Sequence, residues 1–235
     1  MITLRRSNDR GHAHFDWLRS KHTFSFGNYY DEAHMGFSAL RVINEDEVIP
    51  GAGFATHGHR DMEIISYVLN GEIAHKDSEG NVARLPAGEF QLMSAGSGIR
   101  HSEYNPSPNK KLYFLQIWIQ PNVIGQQPGY QQKDFGSKQG LTLVVSSDGA
   151  EGSLHIKQDA RLYQLILAPE TSAQLSADQS RNYYVHNIGG PLVVKGDDGT
   201  WETLLAGDGA KLSSLSQLSL NAKAEGVKAL VFDLP

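Results

Sequence analysis

An all-β fold built of two tandem barrels is what this sequence predicts, and three observations carry the prediction. Short apolar runs recur along the 235 residues, each closed by Gly, Pro, Asn or Asp, which is the pattern of strands and turns. No long stretch keeps the 3.6-residue apolar period of an amphipathic helix. One segment is also echoed: Gly80-Asn81-Val82-Ala83-Arg84-Leu85-Pro86-Ala87-Gly88 and Gly199-Thr200-Trp201-Glu202-Thr203-Leu204-Leu205-Ala206-Gly207 both run from glycine through a short strand to a tight turn. Strands at such close spacing indicate a sandwich or barrel, and the echo indicates two copies of it.

The elements follow in order. Asp16 to Ser20 reads as a helical turn. Strand signals rich in β-branched and aromatic residues then cover Phe37 to Ile43, Glu63 to Leu69, Gly71 to Ala74 and Lys111 to Ile119. Turn chemistry separates them at Asp77 to Asn81, Pro86 to Gly88 and Asn105 to Asn109. A polar, turn-rich segment beginning Pro121-Asn122-Val123-Ile124-Gly125 and reaching Gly140 has the composition of a connection between domains. Beyond it strands are expected at Leu141 to Ser146, Arg161 to Leu167, Asn182 to Asn187, Leu192 to Lys195 and Ala229 to Phe232, with turns at Gly189 to Pro191 and Asp197 to Gly199. The apolar end, Phe232-Asp233-Leu234-Pro235, is expected to pair onto a sheet edge.

Composition excludes several classes. With 40% apolar residues the chain can bury one large core or two modest ones. A net charge of -5 argues against direct nucleic-acid binding through bulk positive potential. The absence of cysteine removes both disulfides and thiolate metal sites. The first residues, Met1-Ile2-Thr3-Leu4-Arg5-Arg6, lack a signal-peptide core, and no apolar run approaches a membrane span, so no membrane association and a soluble cytoplasmic location are expected.

Two spacings point to chemistry. His57 and His59 stand at i, i+2, as do His101 and Glu103. Successive side chains on a strand alternate between faces, so each pair shares a face, and two strands meeting inside a barrel can offer three imidazoles and a carboxylate to one ion. That donor set suits a divalent first-row transition metal. Four protein ligands on a six-coordinate ion leave room for substrate, oxygen or water. Fe(II) is the first choice, and Ni, Mn, Co, Cu and Zn also fit the donors.

These residues resemble a known family. Gly51-Ala52-Gly53-Phe54-Ala55-Thr56-His57-Gly58-His59-Arg60-Asp61-Met62-Glu63, with the later Gly71, looks like the first cupin motif, and Gly80 to Gly88 resembles the opening of the second. More closely, His22-Thr23-Phe24-Ser25-Phe26, Gly36 to Val42, His57 to Glu63 and Met93 to Asn105 are together similar to the pirins, a bicupin family. The likeness is dense over the first half and weak beyond the connection. It implies two jelly-roll-like cupin domains, a metal-binding one over residues 1–125 and a degenerate one over 126–235. One departure is that Gln91 stands where the general cupin pattern has a histidine. Pirins take the third histidine and the acid from the later element, here His101 and Glu103. Read from the residues alone, Glu63 competes for the carboxylate role; the resemblance prefers Glu103.

The resemblance also implies an activity, oxidative opening of flavonols such as quercetin with O2 to a depside and carbon monoxide, as quercetin 2,3-dioxygenase. Glu103 is then the candidate catalytic base. The rival is a metal-dependent, redox-sensitive regulator that binds a transcription factor or metabolic enzyme, so the expected partners are a flavonol-like small molecule with O2 or, in the rival, a protein.

The remaining residues take blander readings. His12, His14, His34, His75, His155 and His186 read as surface or locally hydrogen-bonded, and His22 as core. Asp61 reads as a turn residue, and Glu63, if not a ligand, as a partner of Arg60 or a loop amide. Phe24, Phe26, Tyr29, Tyr30, Phe37 and Phe54 are enough to wall a flat pocket, most of them serving as core, whereas Trp118 reads as barrel packing. Gly96 and Gly98 permit a bend or bulge that re-aims the strand of His101.

Overall fold

The computed structural model describes all 235 residues and contains strands, turns and three short 3-10 segments but no α-helix. The chain divides into two compact units, one of Gly11–Gly136 with Ile156–Gln158, the other of Met1–Arg10, Ser137–His155 and Asp159–Pro235. This differs from the boundary expected at residue 125 in two ways. The first ten residues belong to the second unit, where β1 (Ile2–Arg5) pairs antiparallel with a later strand, and residues up to Gly136 remain in the first. Composition marks where a chain is polar, whereas unit membership is decided by pairing between residues far apart in sequence.

The first unit holds β2 (Gly11–His14), β3 (Leu18–His22), β4 (Leu40–Val48), β5 (Gly53–His59), β6 (Glu63–Asn70), β7 (Glu72–Asp77), β8 (Val82–Pro86), β9 (Glu89–Ser94), β10 (Ile99–Tyr104), β11 (Leu112–Ile119) and β12 (Gly129–Asp134). They form a seven-stranded sheet, β12-β9-β6-β11-β4-β3-β2, and a four-stranded sheet, β5-β10-β7-β8. β6 and β11 are buried on both faces and therefore read as continuous apolar runs. The helical turn expected at Asp16 to Ser20 is instead a bend leading into β3. There Leu18, Ser20 and His22 alternate inward while the backbone pairs with β4.

The second unit holds β1 with β13 (Gly140–Ser146), β14 (Leu154–His155), β15 (Arg161–Leu167), β16 (Ser172–Ser176), β17 (Asn182–Gly189), β18 (Leu192–Gly196), β19 (Trp201–Leu204), β20 (Gly209–Ser213), β21 (Gln217–Ala222) and β22 (Val227–Leu234). Again there are seven strands, β1-β20-β17-β22-β15-β13-β14, and a sheet of four, β16-β21-β18-β19. Five consecutive strands of the large sheets, β9-β6-β11-β4-β3 and β20-β17-β22-β15-β13, and all four of the small ones match in order, so the echo in the sequence is a real duplication of topology. The edges differ, since β14 follows β13 and runs parallel to it whereas β2 precedes β3 and runs antiparallel, and β1 takes the edge that β12 takes in the first unit. The C-terminal strand β22 lies between β17 and β15, inside its sheet rather than on an edge, because its central residues are apolar on both faces. A contiguous core including Leu165, Val185, Val194, Leu218 and Leu220 fills this unit.

Candidate metal centre

The four-stranded sheet of the first unit builds the site in two cross-strand rungs. His57 of β5 pairs with His101 of β10, and His101 with Asp77 of β7; one step along, Phe54 pairs with Glu103, and Glu103 with His75. His101 and Glu103 are two positions apart on β10, whereas Phe54 and His57 are three apart on β5, so β5 carries an extra residue at this register break. The bulge expected near Gly96 and Gly98 thus lies on the partner strand. Gly96 instead permits a close backbone approach: its φ is +47°, and a Cβ there would stand 2.1 Å from the Gln126 carbonyl oxygen.

Three imidazoles converge. His59 Nε2 lies 3.0 Å from His101 Nε2, and His101 Nε2 lies 3.2 Å from His57 Nε2. Imidazole nitrogens bound at about 2.1 Å to one ion and at right angles to each other stand about 3.0 Å apart, which is the spacing found. His57 Nδ1 donates to the Ala55 carbonyl at 2.8 Å, which leaves the Nε2 lone pair of the neutral ring bare. Burial first, then the charges of His101 and His57, push His59 down to about 4, and burial followed by His57 and His75 pushes His101 down to about 3. The His59 and His101 rings therefore stay neutral, as ligands must.

Glu103 is buried beside His101. Its Oε1 accepts from the Ser66 hydroxyl at 3.1 Å, and its Oε2 is buried with no hydrogen-bond partner. One donor atom from each of His75, His101 and Glu103 lies within 4.8 Å of the others, as do donor atoms of His57, His59 and His101. A buried carboxylate oxygen without a donor is costly, and a cation among these groups would satisfy it. The residues present fit a divalent ion on both grounds.

Glu63 stands apart from both clusters. It belongs to β6 in the other sheet of this unit, and its Oε2 accepts from the Ser94 hydroxyl at 2.8 Å and the Lys157 amide at 3.2 Å. The four-residue spacing from His59 crosses a turn, so strand parity does not carry over. Asp61 is a turn residue with φ +48°, and its Oδ1 accepts the Gly125 amide at 2.6 Å.

Three participants escaped the sequence. His75, read as surface or locally bonded, is 1% exposed and lies 3.1 Å from Asp77 Oδ2 through Nε2. Burial alone would raise Asp77, but the hydrogen bonds of Asn81 and His75 outweigh it and hold the carboxyl below its usual range. An ionised Asp77 accepts the hydrogen bond that His75 Nε2 donates. Trp118 is not only barrel packing, since its ring meets His59 edge-on at 5.0 Å and its Nε1 donates to Gln116 Oε1 at 3.1 Å. The signal for His75 and Asp77 was available in principle, another i, i+2 polar pair in an apolar setting. His186, also read as surface, is 1% exposed in the second unit.

A cavity of about 590 Å³ has Trp17, Phe26, Tyr29, Phe54, His22 and Gln116 among its lining and none of the four donor residues, and is linked to the centre through the rings of Phe54 and Phe26. Phe54 meets the His57 ring at 6.3 Å, and Phe26 meets Trp118 at 5.3 Å. Of the six aromatics expected to wall a pocket, three do so. Phe24 is wholly buried in the core and Tyr30 is exposed.

The pirin family profile matches residues 3–119, and a profile described as the quercetinase C-terminal cupin domain matches residues 143–234. A protein of Escherichia coli strain K12 named quercetin 2,3-dioxygenase is 46% identical over 235 residues, covering 100% of this chain and 99% of its own. A pirin-like protein of Caulobacter vibrioides is 38% identical, covering 98% of this chain and 99% of its own. The crystal structure of the bacterial pirin YhhW from Escherichia coli in complex with nickel(II) superposes with a TM-score of 0.94 at 46% identity, over 100% of this chain and 99% of that one. With two cupin barrels in the order described above and full-length relatives at this identity, the chain belongs to the pirin family.

Proposed function

We propose that this protein is a metal-dependent dioxygenase that cleaves flavonols such as quercetin with O2. The observation that supports it best is the convergence of the His57, His59 and His101 Nε2 atoms beside an aromatic-walled cavity of about 590 Å³, a volume suited to a flat, drug-sized ligand. His57, His59, His101 and Glu103 would hold the ion. Iron(II) suits an imidazole and carboxylate set that must handle O2, and the nickel complex of the Escherichia coli relative makes nickel the metal to test beside it. When bound, such an ion supplies Lewis acidity at the flavonol 3-oxygen and redox access to O2.

The chain's own residues do the rest. Glu103 Oε2, lacking a donor, receives the 3-hydroxyl proton as general base. Phe54, Phe26 and Trp17 hold the fused rings flat by face and edge contacts. Trp118, set edge-on against His59 and Phe26, keeps that side of the imidazoles dry.

The test is oxygen uptake with quercetin by protein loaded with Fe(II) or Ni(II). Native protein should turn over, while His57→Ala and Glu103→Gln should each lose about a hundredfold or more. Turnover unaffected by both substitutions would sink the assignment. A protein that retains its ion yet consumes no oxygen across a flavonol panel would return the reading to metal-dependent partner binding.

A further inference from the structure

The cavity has a polar floor that the proposed reaction leaves unused. β4 presents Asn44 and Asp46 at i, i+2 on one face, and both line the cavity although each is only 2% exposed. Ser20, paired with Asp46 across β3 and β4, lines it as well. Oδ1 of Asn44 and Oδ1 of Asp46 are buried without a hydrogen-bond partner. Two adjacent unsatisfied oxygens in a native interior call for an explanation, and an arriving hydroxyl is one that satisfies both.

We propose that Asp46, with Asn44 beside it, reads a ring hydroxyl of a phenolic ligand lying in this cavity, so that the site selects polyhydroxylated flavonols over unsubstituted ones. The inference rests on the flavonol reading above and sharpens it to a substrate subclass. Burial pushes the Asp46 carboxyl up to about 7; the Ser20 hydroxyl opposes this, and the charges of Glu103 and Glu45 add to it. In mildly acidic solution the group is then a neutral acid, able to donate and accept at once. A phenol hydroxyl is its match, since it also does both. An apolar ring would leave the two oxygens unpaired, and a site built to bond a hydroxyl penalises the analogue that lacks it.

Quercetin and 3-hydroxyflavone, which share the 3-hydroxyl but differ in ring hydroxyls, are the probes. Binding to metal-loaded protein is read anaerobically at pH 6 by quenching of tryptophan fluorescence, with Trp17 in the cavity wall as reporter. Native protein should favour quercetin by about tenfold or more, the worth of one well-made buried hydrogen bond. Asp46→Val should bring the ratio to about one, and Asp46→Asn, which keeps a donor and an acceptor, should retain most of it. Asn44→Ala, read in the same way, should lower the ratio about threefold and serves if Asp46→Val fails to fold. A native ratio near one, or an unchanged ratio in both Asp46→Val and Asn44→Ala, overturns the inference alone, provided oxygen is consumed when air is admitted. Binding of neither flavonol overturns this inference and the dioxygenase reading together.

Discussion

The two barrels share one strand order, apart from the edges of the larger sheet, and differ in what they turn inward. In the first, the facing rungs of the four-stranded sheet are His57–His101–Asp77 and Phe54–Glu103–His75. At the corresponding positions the second has Leu175–Leu218–Gly196 and Ala173–Leu220–Val194. Leu218, Leu220 and Val194 belong to a continuous apolar core, whereas at the matching positions the first barrel buries the polar side chains of His101, Glu103 and His75. The frame is therefore indifferent to its contents. A dry interior gains about 1.5–3 kcal/mol for each fully buried leucine, while a polar interior gives that up and holds preset donors instead. Duplication lets one copy keep an apolar interior and the other a polar one.

The hardest test of this contrast is to exchange the contents. Leu220→Glu places a carboxylate among Leu218, Val194 and Ala173 with no donor in reach, and should cost about 3 kcal/mol or more in urea unfolding. Glu103→Leu in the first barrel should abolish metal binding yet leave the metal-free protein as stable or more so, because it removes an unsatisfied buried oxygen. Equal tolerance of both substitutions would break the comparison.

A smaller effect sharpens it. Asp77 is anchored in the turn after β7, its Oδ1 accepting the amides of Glu79 at 3.0 Å and Asn81 at 2.9 Å, while its Oδ2 meets His75. It sets the His75 ring beside His101 and Glu103. Asp77→Asn should weaken the ion's affinity about 10–100-fold in a competitive chelator titration. Unchanged affinity would reduce His75 and Asp77 to packing.

The smallest expected effect is on acid stability. His59 and His101 are held near 4 and 3 in the folded protein, below the ordinary 6.5, so the unfolded chain takes up protons first as pH falls. Their contribution is complete above about pH 6.5 and is lost progressively down to about pH 3. His186 in the second barrel, pushed to about 3 by burial and then by Arg10, adds one further share of the same sign. Urea unfolding of metal-free His59→Asn and His101→Asn should show shallower decline between pH 6.5 and 4 than the native chain. Identical slopes would mean the rings are protonated without cost.

Much of the fold was legible because strand signals are local. Glu63 to Leu69 and Lys111 to Ile119 read as buried strands and are β6 and β11. Strands such as β12, with Gly129-Tyr130-Gln131-Gln132-Lys133-Asp134, did not read as strands, since their half-exposed polar residues give no apolar pattern. The site was legible in part for the same reason. Strand alternation by itself puts His101 and Glu103 on one buried face of β10.

What the sequence determined alone is therefore the all-β class, the duplication, and the pairing of donors within each strand, because a period of two residues is a property of the backbone at that spot. Only the tertiary structure decided that β10 lies between β5 and β7, bringing His75 and Asp77 to the donors, that β5 bulges opposite His101, that Glu63 turns toward Ser94 and Lys157, and that β1 completes the second barrel. Those outcomes depend on which strands pair and in what register, and that choice is made by contacts between residues distant in the chain.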